Sequence, residues 1–341
     1  MALRPRSKRY ARSTTTLRAL LPLFLLLLLL VRLTTLFRPT SPKAPIIVVT
    51  ASNWMYRHFL QNFKCNLDTL NISYAPIVYS LDVRTHNLSH HLGWASVLLS
   101  SQLGDEAHPG QFNRSGPRSF NQITKNKLRA VLSALLSGLD VLLSDADIFW
   151  CTDPVHHLRT LLSASRYYAQ ADVLIQPEAN YRTLNSGFYL VRSNQRTIDL
   201  FRALVQNINI GNHDQDVVNK VFCDPQYGGN KIIQSHGEVP YHCESHGALI
   251  RLLPATSFPS GAQQYAGLNV FHHSRERLSD MCRRRQFVVL HNNFIKANKK
   301  KARFVVKGMW FSSFDTDDQL VCLTQPAPAD HHSARTCGAY C

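Results

Sequence analysis

The sequence predicts an α/β protein in which one doubly wound sheet domain follows an amino-terminal membrane anchor. Three observations carry this. Short apolar runs alternate with helical patterns along residues 46–314, the rhythm of strand–helix–strand units around a sheet. One of these runs, Val141 to Leu143, reads as a strand buried on both faces of a parallel sheet. Ala19 to Phe37 spans 19 residues with Arg32 as its only charge.

That last stretch organises the amino terminus. A full span needs about 20 predominantly apolar residues, so this one is short, and Arg32 can snorkel from near its end. Six basic residues precede it, and the positive-inside bias then leaves the amino terminus cytosolic and the remainder lumenal. A cleaved signal peptide fits the run length, although no small-x-small site follows closely. A mitochondrial transit peptide fits the Arg, Ser and Thr content but not so dense a leucine run. The expected organisation is a cytosolic tail (1–18), a signal-anchor helix (19–37), a linker (38–45), the sheet domain (46–314) and a Cys-containing tail (315–341).

The chain has 341 residues, with 38 Lys and Arg against 22 Asp and Glu. Nine of the basic residues and none of the acidic ones fall in residues 1–43. Much of the excess is thus a property of the tail, and with no aromatic-interleaved basic motif it does not indicate nucleic acid. Two features agree with a lumenal domain. Asn71-Ile72-Ser73, Asn87-Leu88-Ser89 and Asn113-Arg114-Ser115 are acceptor sequons. Eight scattered cysteines without a Cys-x-x-Cys pair suit an oxidising compartment better than zinc, and their pairing stays open.

In order along the domain, Ile46 to Thr50 is the first strand, and Asn53 caps a helix running to about Cys65. Ala75 to Leu81 is the second strand. It ends at Asp82, placed either to contact a base or ribose or to hold a turn. No Gly-x-Gly-x-x-Gly follows the first strand, which argues against a dinucleotide fold. Residues 84–119 read as a polar surface insertion. Leu128, Val131, Leu132 and Leu135 mark the buried face of a helix that Gly138 closes with a left-handed cap. Lys127, near its start, either reaches a phosphate or lies solvated.

The buried strand then stops at Ser144, and Asp145 and Asp147 follow one residue apart. On extended backbone, residues i and i+2 point to the same side. Two like charges so close repel unless a cation or hydrogen bonds offset them. A hard divalent metal holding a diphosphate satisfies both carboxylates, while a simple turn would also favour Ser and Asp. Trp150 to Pro154 turns the chain into another helix. Ala171 to Gln176 and Gly187 to Val191 are strands, with Leu184-Asn185-Ser186-Gly187 a polar turn between them. A helix starts near Asn194, and Gly211-Asn212 breaks the chain before His213-Asp214-Gln215-Asp216 opens the next one. Asp214 is either that helix's N-cap or, with Gln215, a hydrogen-bonding partner for a polyol. Phe287 to Leu290 is a strand ending at His291, a borderline metal ligand. Around it, Met281 to Phe314 carries nine Lys or Arg and no acid, either a solvated face or a phosphate clamp. The last residues read as a cysteine-stapled tail.

Together these motifs resemble the nucleotide-diphospho-sugar transferase domain family. The resemblance rests on Ser144-Asp145-Ala146-Asp147 after Gly138, on Leu184-Asn185-Ser186-Gly187-Phe188, and on Asp214-Gln215-Asp216 with Asn219. It rests further on His291-Asn292-Asn293-Phe294-Ile295 followed by Lys301, Arg303 and Trp310, and on Phe258-Pro259-Ser260-Gly261. The resemblance covers residues 46–312. It implies a GT-A-like mixed sheet in a single catalytic domain, on the lumenal side of the Golgi membrane as a single-pass type II protein. It implies a retaining, metal-dependent glycosyltransferase that uses Mn²⁺ (or Mg²⁺) and moves a sugar from a nucleoside-diphosphate donor, UDP favoured, to a glycan or glycoprotein. By position, Asp145, Asp147 and His291 resemble the metal ligands, Asp145 also meeting the ribose, and Lys301 a diphosphate contact. Asp214 and Gln215 resemble the catalytic sugar contacts and Asn185 sits in the acceptor-side turn, while Asp82 and Lys127 stand as candidate donor contacts from their places in the chain alone. Related domains often have Gly between the His and the Lys, where this chain has Ala297.

Two rivals stand beside this reading. Strand-Asp-x-Asp also opens phosphohydrolases that form an aspartyl phosphate, but those want Thr where this chain has Phe149. The run Asp315-Thr316-Asp317-Asp318 could serve such an enzyme as a later metal motif. A lumenal sugar-binding relative without catalysis would keep the same polar set.

Overall fold

In a computed structural model of the chain, the residues described are 44–99, 117–178, 183–211, 213–230, 242–261, 277–284, 287–293, 295, 297–314, 319–328, 332–333 and 336. All fall within one compact unit, Ala44–Cys341. The expected anchor, the sequon at Asn113, the run 315–318 and Cys337 and Cys341 lie outside the described residues. Among the described residues no helix is long and apolar enough to cross a membrane.

The core is a mixed α/β layer arrangement around one eight-stranded sheet. Its strands are β1 (Ile46–Ser52), β2 (Ile77–Ser80), β3 (Ser96–Leu98), β4 (Asp140–Ser144), β6 (Val173–Pro177), β7 (Leu184–Val191), β8 (His242–Ser245) and β9 (Ala248–Leu252). The spatial order is β3-β2-β1-β4-β7-β6-β9-β8. β4 runs parallel to β1 and antiparallel to β7. Leu142 packs into one core layer, Val141 and Leu143 into the other. Burial on both sides is why this strand reads as an unbroken apolar run.

Helices cover both faces: α1 (Arg57–Thr69), α2 (Val83–His91), α3 (Pro117–Leu136), α4 (Pro154–Ala164), α5 (Arg166–Ala169), α6 (Gln195–Gln206), α7 (Asp214–Cys223), α8 (Leu278–Arg283) and α9 (Ala297–Val306). Leu128, Val131 and Leu135 of α3 are buried, and Gly138 has φ +77°, the left-handed cap expected. Asn194 caps α6 in a capping box with Thr197. Three expectations change. Residues 84–119 are not simply a surface insertion, because most of α2 and all of β3 lie within them. Leu184 to Gly187 is no turn but the start of β7. Asn53 caps a three-residue 3₁₀ turn, Trp54–Tyr56, and α1 begins only at Arg57.

A smaller antiparallel pair, β5 (Ile148–Trp150) and β10 (Val289–His291), lies outside the main sheet. α1 carries two buried asparagines one helical turn apart, of which Asn66 holds β5 and Asn62 holds the segment Met309–Phe311. Asn66 accepts from Trp150 N (2.8 Å) and donates to Trp150 O (2.9 Å). Asn62 accepts from Phe311 N (2.7 Å) and donates to Met309 O (3.1 Å). Each side-chain amide thus serves as a missing backbone neighbour, meeting the demand that buried peptide groups be paired. The tail continues as β11 (Ser312–Phe314) paired with β12 (Leu320–Cys322). Disulfides join Cys65 to Cys322, Cys151 to Cys282 and Cys223 to Cys243, the first of them fastening the tail to α1.

Asn66→Ala should leave both Trp150 backbone groups buried and unpaired, lowering unfolding free energy by about 1–3 kcal/mol per orphaned group. Urea denaturation of the sheet domain measures this. An unchanged midpoint would mean that water replaces the amide there.

Candidate active site

The site forms where β4 and β10 end and β7 begins. After Ser144 the chain makes a tight turn, closed by Ile148 N donating to Asp145 O (3.1 Å). Asp145 and Asp147 thus stand on a turn rather than on extended backbone. Asp145 N donates to Gly187 O (2.8 Å), tying the turn to β7. β5 resumes at Ile148, directly opposite His291 in the register with β10. Asp145, Asp147 and His291 each place one ligand atom within 4.8 Å of the others.

Gly187 is what allows the approach. A Cβ added there would lie 2.4 Å from the His291 ring, 2.8 Å from an Asp145 carboxylate oxygen and 3.0 Å from Asn185 Oδ1. The glycine is required by crowding and not by backbone conformation, so a turn-based reading of the sequence does not reveal it.

The state of His291 follows from its neighbours. Gln176 donates through Nε2 to the carbonyls of Phe258 and Pro259, both at 3.0 Å. Its Oε1, which can only accept, therefore faces His291 Nδ1 at 2.9 Å. Nδ1 carries the proton, and in the neutral ring the lone pair of Nε2 faces Asp147 Oδ1 at 3.7 Å. A lone pair aimed at a carboxylate is repulsive unless a cation lies between them. Ring orientation by an outer acceptor is how metal-binding histidines are usually held. Two carboxylates and an imidazole so disposed fit a divalent ion.

Two buried lysines offset the carboxylates. Lys127 from α3 bridges Asp145 (3.0 and 3.1 Å) and Asp214 (2.8 Å). Burial would depress its ammonium, but the two carboxylates outweigh that and hold its pKa above the ordinary lysine range. Lys300 from α9 pairs with Asp147 Oδ2. Burial works against the Asp147 charge, yet the Lys300 ammonium beside it prevails and keeps its pKa below the usual range. Burial pushes the Asp145 carboxyl up, with Lys127 pulling the other way.

These groups line a cavity of about 490 Å³. Ser52, Asn53 and Tyr56 line it, as do Asn185, Asp214 and Gln215, with Asp145, Asp147, His291 and Lys300 also on its wall. Asp214 is the first residue of α7 rather than its cap. His213 is the cap residue, in a capping box with Asp216. The capping alternative for Asp214 therefore does not hold. Lys301, expected at the diphosphate, instead lies over the Trp310 ring at 5.0 Å. Helical register turns Lys300 toward the cavity, with Arg303, Phe304 and Lys307 along the same buried face. Arg303 and Lys307 of the basic run are thus buried, while Arg283, Arg284 and Lys301 are exposed. Asp82 does not line the cavity, because its oxygens accept from Trp54 N (2.7 Å) and Thr85 N (2.8 Å) and so cap α2.

Sequence reasoning gives no site role to Gln176, Glu178, Tyr56 or Lys300, and it places Gly187 in a turn and Asn293 in a motif without assigning either a part in the site. For Lys300 a signal existed: positions 300, 303, 304 and 307 have helical spacing, which selects it over Lys301.

A carboxylate pair, an imidazole and buried lysines at strand ends define a site of the class that handles polyanionic ligands together with a cation. The chain belongs to the nucleotide-diphospho-sugar transferase family, whose model matches residues 74–305. It is 28% identical over 280 residues to beta-arabinofuranosyltransferase RAY1 of Arabidopsis thaliana, covering 79% of this chain and 48% of that protein. It is 27% identical to UDP-galactose:fucoside alpha-3-galactosyltransferase of Dictyostelium discoideum, covering 60% of this chain and 30% of the relative. It is 22% identical to UDP-D-xylose:L-fucose alpha-1,3-D-xylosyltransferase 3 of Arabidopsis thaliana, covering 79% and 67%. The chain thus spans about half the length of the first relative and less than a third of the second. The solved glycosyltransferase GlyE of Streptococcus pneumoniae TIGR4 overlays with a TM-score of 0.43 at 14% identity, over 75% of this chain and 56% of that one.

Gly187→Ala should force His291 and Asp145 apart while leaving the sheet intact. Affinity for Mn²⁺, read by calorimetry, should fall by about tenfold or more, the scale seen when metal-ligand support is lost. Unaltered affinity would show that the crowding can be relieved elsewhere.

Proposed function

We propose that the protein is a metal-dependent glycosyltransferase that moves a sugar from a nucleoside-diphosphate sugar to a glycan or glycoprotein acceptor, with retention at the reacting carbon. The observation that carries this is the juxtaposition in one cavity of Asp145, Asp147, His291 and Lys300 with Asp214. Breaking a sugar–phosphate bond puts charge on the diphosphate, so positive groups belong beside the leaving group. A divalent ion, Mn²⁺ or Mg²⁺, held by Asp145, Asp147 and His291 would supply Lewis-acid stabilisation of that charge. Lys300 adds a second positive charge in the same place. Asp214, fixed by Lys127, faces the sugar and favours positive charge developing at its reacting carbon, and Gln215 offers an amide beside it. Asn53 and Tyr56 receive the nucleoside. UDP is the favoured nucleotide, since two of the relatives are named for UDP-galactose and UDP-D-xylose.

The same reading places the enzyme in the Golgi membrane as a single-pass type II protein, anchored by residues 19–37 with its catalytic domain lumenal. All cysteines among the described residues are paired, which supports an oxidising compartment. Asn71 is exposed at its sequon, open to glycosylation. Glycosidase treatment should increase gel mobility, and microsomal membranes should protect the domain from added protease. A cytosolic product without glycan would overturn this placement.

The chemical reading is tested by substitution. Asp147→Asn keeps shape but removes a charged ligand, and turnover of the donor should fall by roughly a hundredfold or more. Lys300→Ala should weaken UDP in the presence of Mn²⁺ by about tenfold or more, whereas Lys301→Ala should change it by less than about threefold. Asp214→Asn should leave UDP affinity nearly intact yet lower turnover sharply, because its contact matters mainly in the transition state. Calorimetry with UDP beside turnover of the complete donor reads all four. Normal turnover in both Asp147→Asn and Asp214→Asn would exclude the mechanism.

A further inference from the structure

We propose that Glu178 is a positioning residue that holds Asn185 and Asn293 as fixed hydrogen-bond donors toward the transferred sugar. The inference rests on the reading of the cavity as a nucleotide-sugar site and assigns recognition within it. Glu178 lies just beyond β6, where the pairing with β7 shifts register between Ile175 and Pro177. Such irregularities re-aim side chains beside active sites. Gln176 and Glu178 flank Pro177, and both point into the ends of β7 and β10, one to His291 and the other to the asparagines.

Glu178 is almost fully buried. Its Oε1 accepts from Asn185 Nδ2 (2.6 Å) and from Asn293 Nδ2 (3.1 Å), and its Oε2 accepts from Ser260 Oγ (2.9 Å). All three donors are neutral. The opposite ends of the two amides are fixed as well. Asn185 Oδ1 accepts from Gly187 N (2.7 Å), and Asn293 Oδ1 accepts from Gly261 N (2.5 Å). Neither amide can flip without facing nitrogen to an N–H and oxygen to a carboxylate. Each amide nitrogen gives one hydrogen to Glu178 and keeps a second, and both asparagines line the cavity. The wall of the cavity that Asp214 also lines therefore presents donors of fixed polarity, matched to the lone pairs of sugar hydroxyl or ring oxygens. Asp214 supplies an acceptor on the same cavity. A site with polar groups committed in advance rejects a ligand that leaves them unpaired.

Substitution separates this role from two others. Glu178→Gln can keep Oε1 on both asparagines, while its amide donates to Ser260, whose hydroxyl turns to accept. That variant loses the charge and keeps the positioning. Glu178→Ala frees both amides. The probes are UDP, UDP-galactose and UDP-xylose with Mn²⁺, read by calorimetry and by sugar release to water or acceptor. In Glu178→Ala, UDP affinity should stay within about twofold while turnover of the preferred UDP-sugar falls about tenfold or more; Glu178→Gln should lie within about threefold of wild type. Side-chain amide NMR signals of Asn185 and Asn293 should move in Glu178→Ala and hold in Glu178→Gln, with or without ligand. Unmoved amide signals or normal sugar turnover in Glu178→Ala would overturn the proposal. So would a Gln variant as impaired as Ala, which would make the charge the active feature. A wild type that binds neither UDP nor either sugar would overturn the underlying reading of the cavity, and the amide signals alone would then decide the part played by Glu178.

Discussion

Three carboxylates, Asp145, Asp147 and Asp214, are gathered around one buried cavity, and the surrounding architecture follows from their mutual repulsion. Two of them bring ligand atoms within 4.8 Å of each other, where like charges cost roughly 3 kcal/mol even at an effective dielectric of about 20. The fold supplies Lys127 from α3 and Lys300 from α9, on elements far apart in sequence. Burial works against the charge on each lysine, and the carboxylates beside it more than offset that cost. Neither lysines nor carboxylates are stable alone in this place, so the four elements that carry them must dock as a set. Removing one partner of such a group costs more than the pair contributes, because it strands a buried charge.

A second layer of neutral groups fixes the geometry that the charges leave free. The segment Phe258 to Gly261 enters the family resemblance as a short motif without an assigned role. In place, its two carbonyls orient Gln176, its serine meets Glu178, and its glycine N–H meets Asn293. A Cβ at Gly261 would come within 2.6 Å of Asn293 O, so the close approach requires glycine. One short loop therefore acts on His291 through Gln176 and on both asparagines through Glu178. Ion pairs tolerate angular error. Amide hydrogen bonds do not, and they confer the orientation.

What could be read from the sequence divides along the same line. The buried strand, the strand-end carboxylates, His291 and the polar opening of α7 are local patterns, so periodicity and punctuation expose them. Leu184 to Gly187 misleads because Asn, Ser and Gly are turn formers whose propensity is overridden here by pairing with β6 and by contacts to α7. Asn219 clamps Leu184 from that helix, accepting from its N–H at 2.7 Å and donating to its carbonyl at 2.9 Å. Asp82 has the composition of a ligand-binding residue and the geometry of a cap. Gly187 and Gly261 are required by atoms more than thirty residues away from one or both of them, which no window along the chain can see.

The basic run shows how charge and burial must be weighed together. Nine positive residues without an acid suggest a solvated face or a clamp, and α9 is neither of these throughout. Arg303 is fully buried and reaches Asn292 Oδ1 (3.3 Å) and Asn293 O (3.4 Å), and burial lowers its pKa to about 10. It therefore secures the strand end instead of meeting a ligand. Asn292 in turn donates to Lys300 O (2.8 Å), which fixes the helix against β10. Lys300 is left as the residue of this face that meets Asp147, while Lys301 packs on Trp310 outside the cavity. Charge density along the chain marked the right helix, but only the spacing of its buried face distinguishes the lysine at the site from its neighbours.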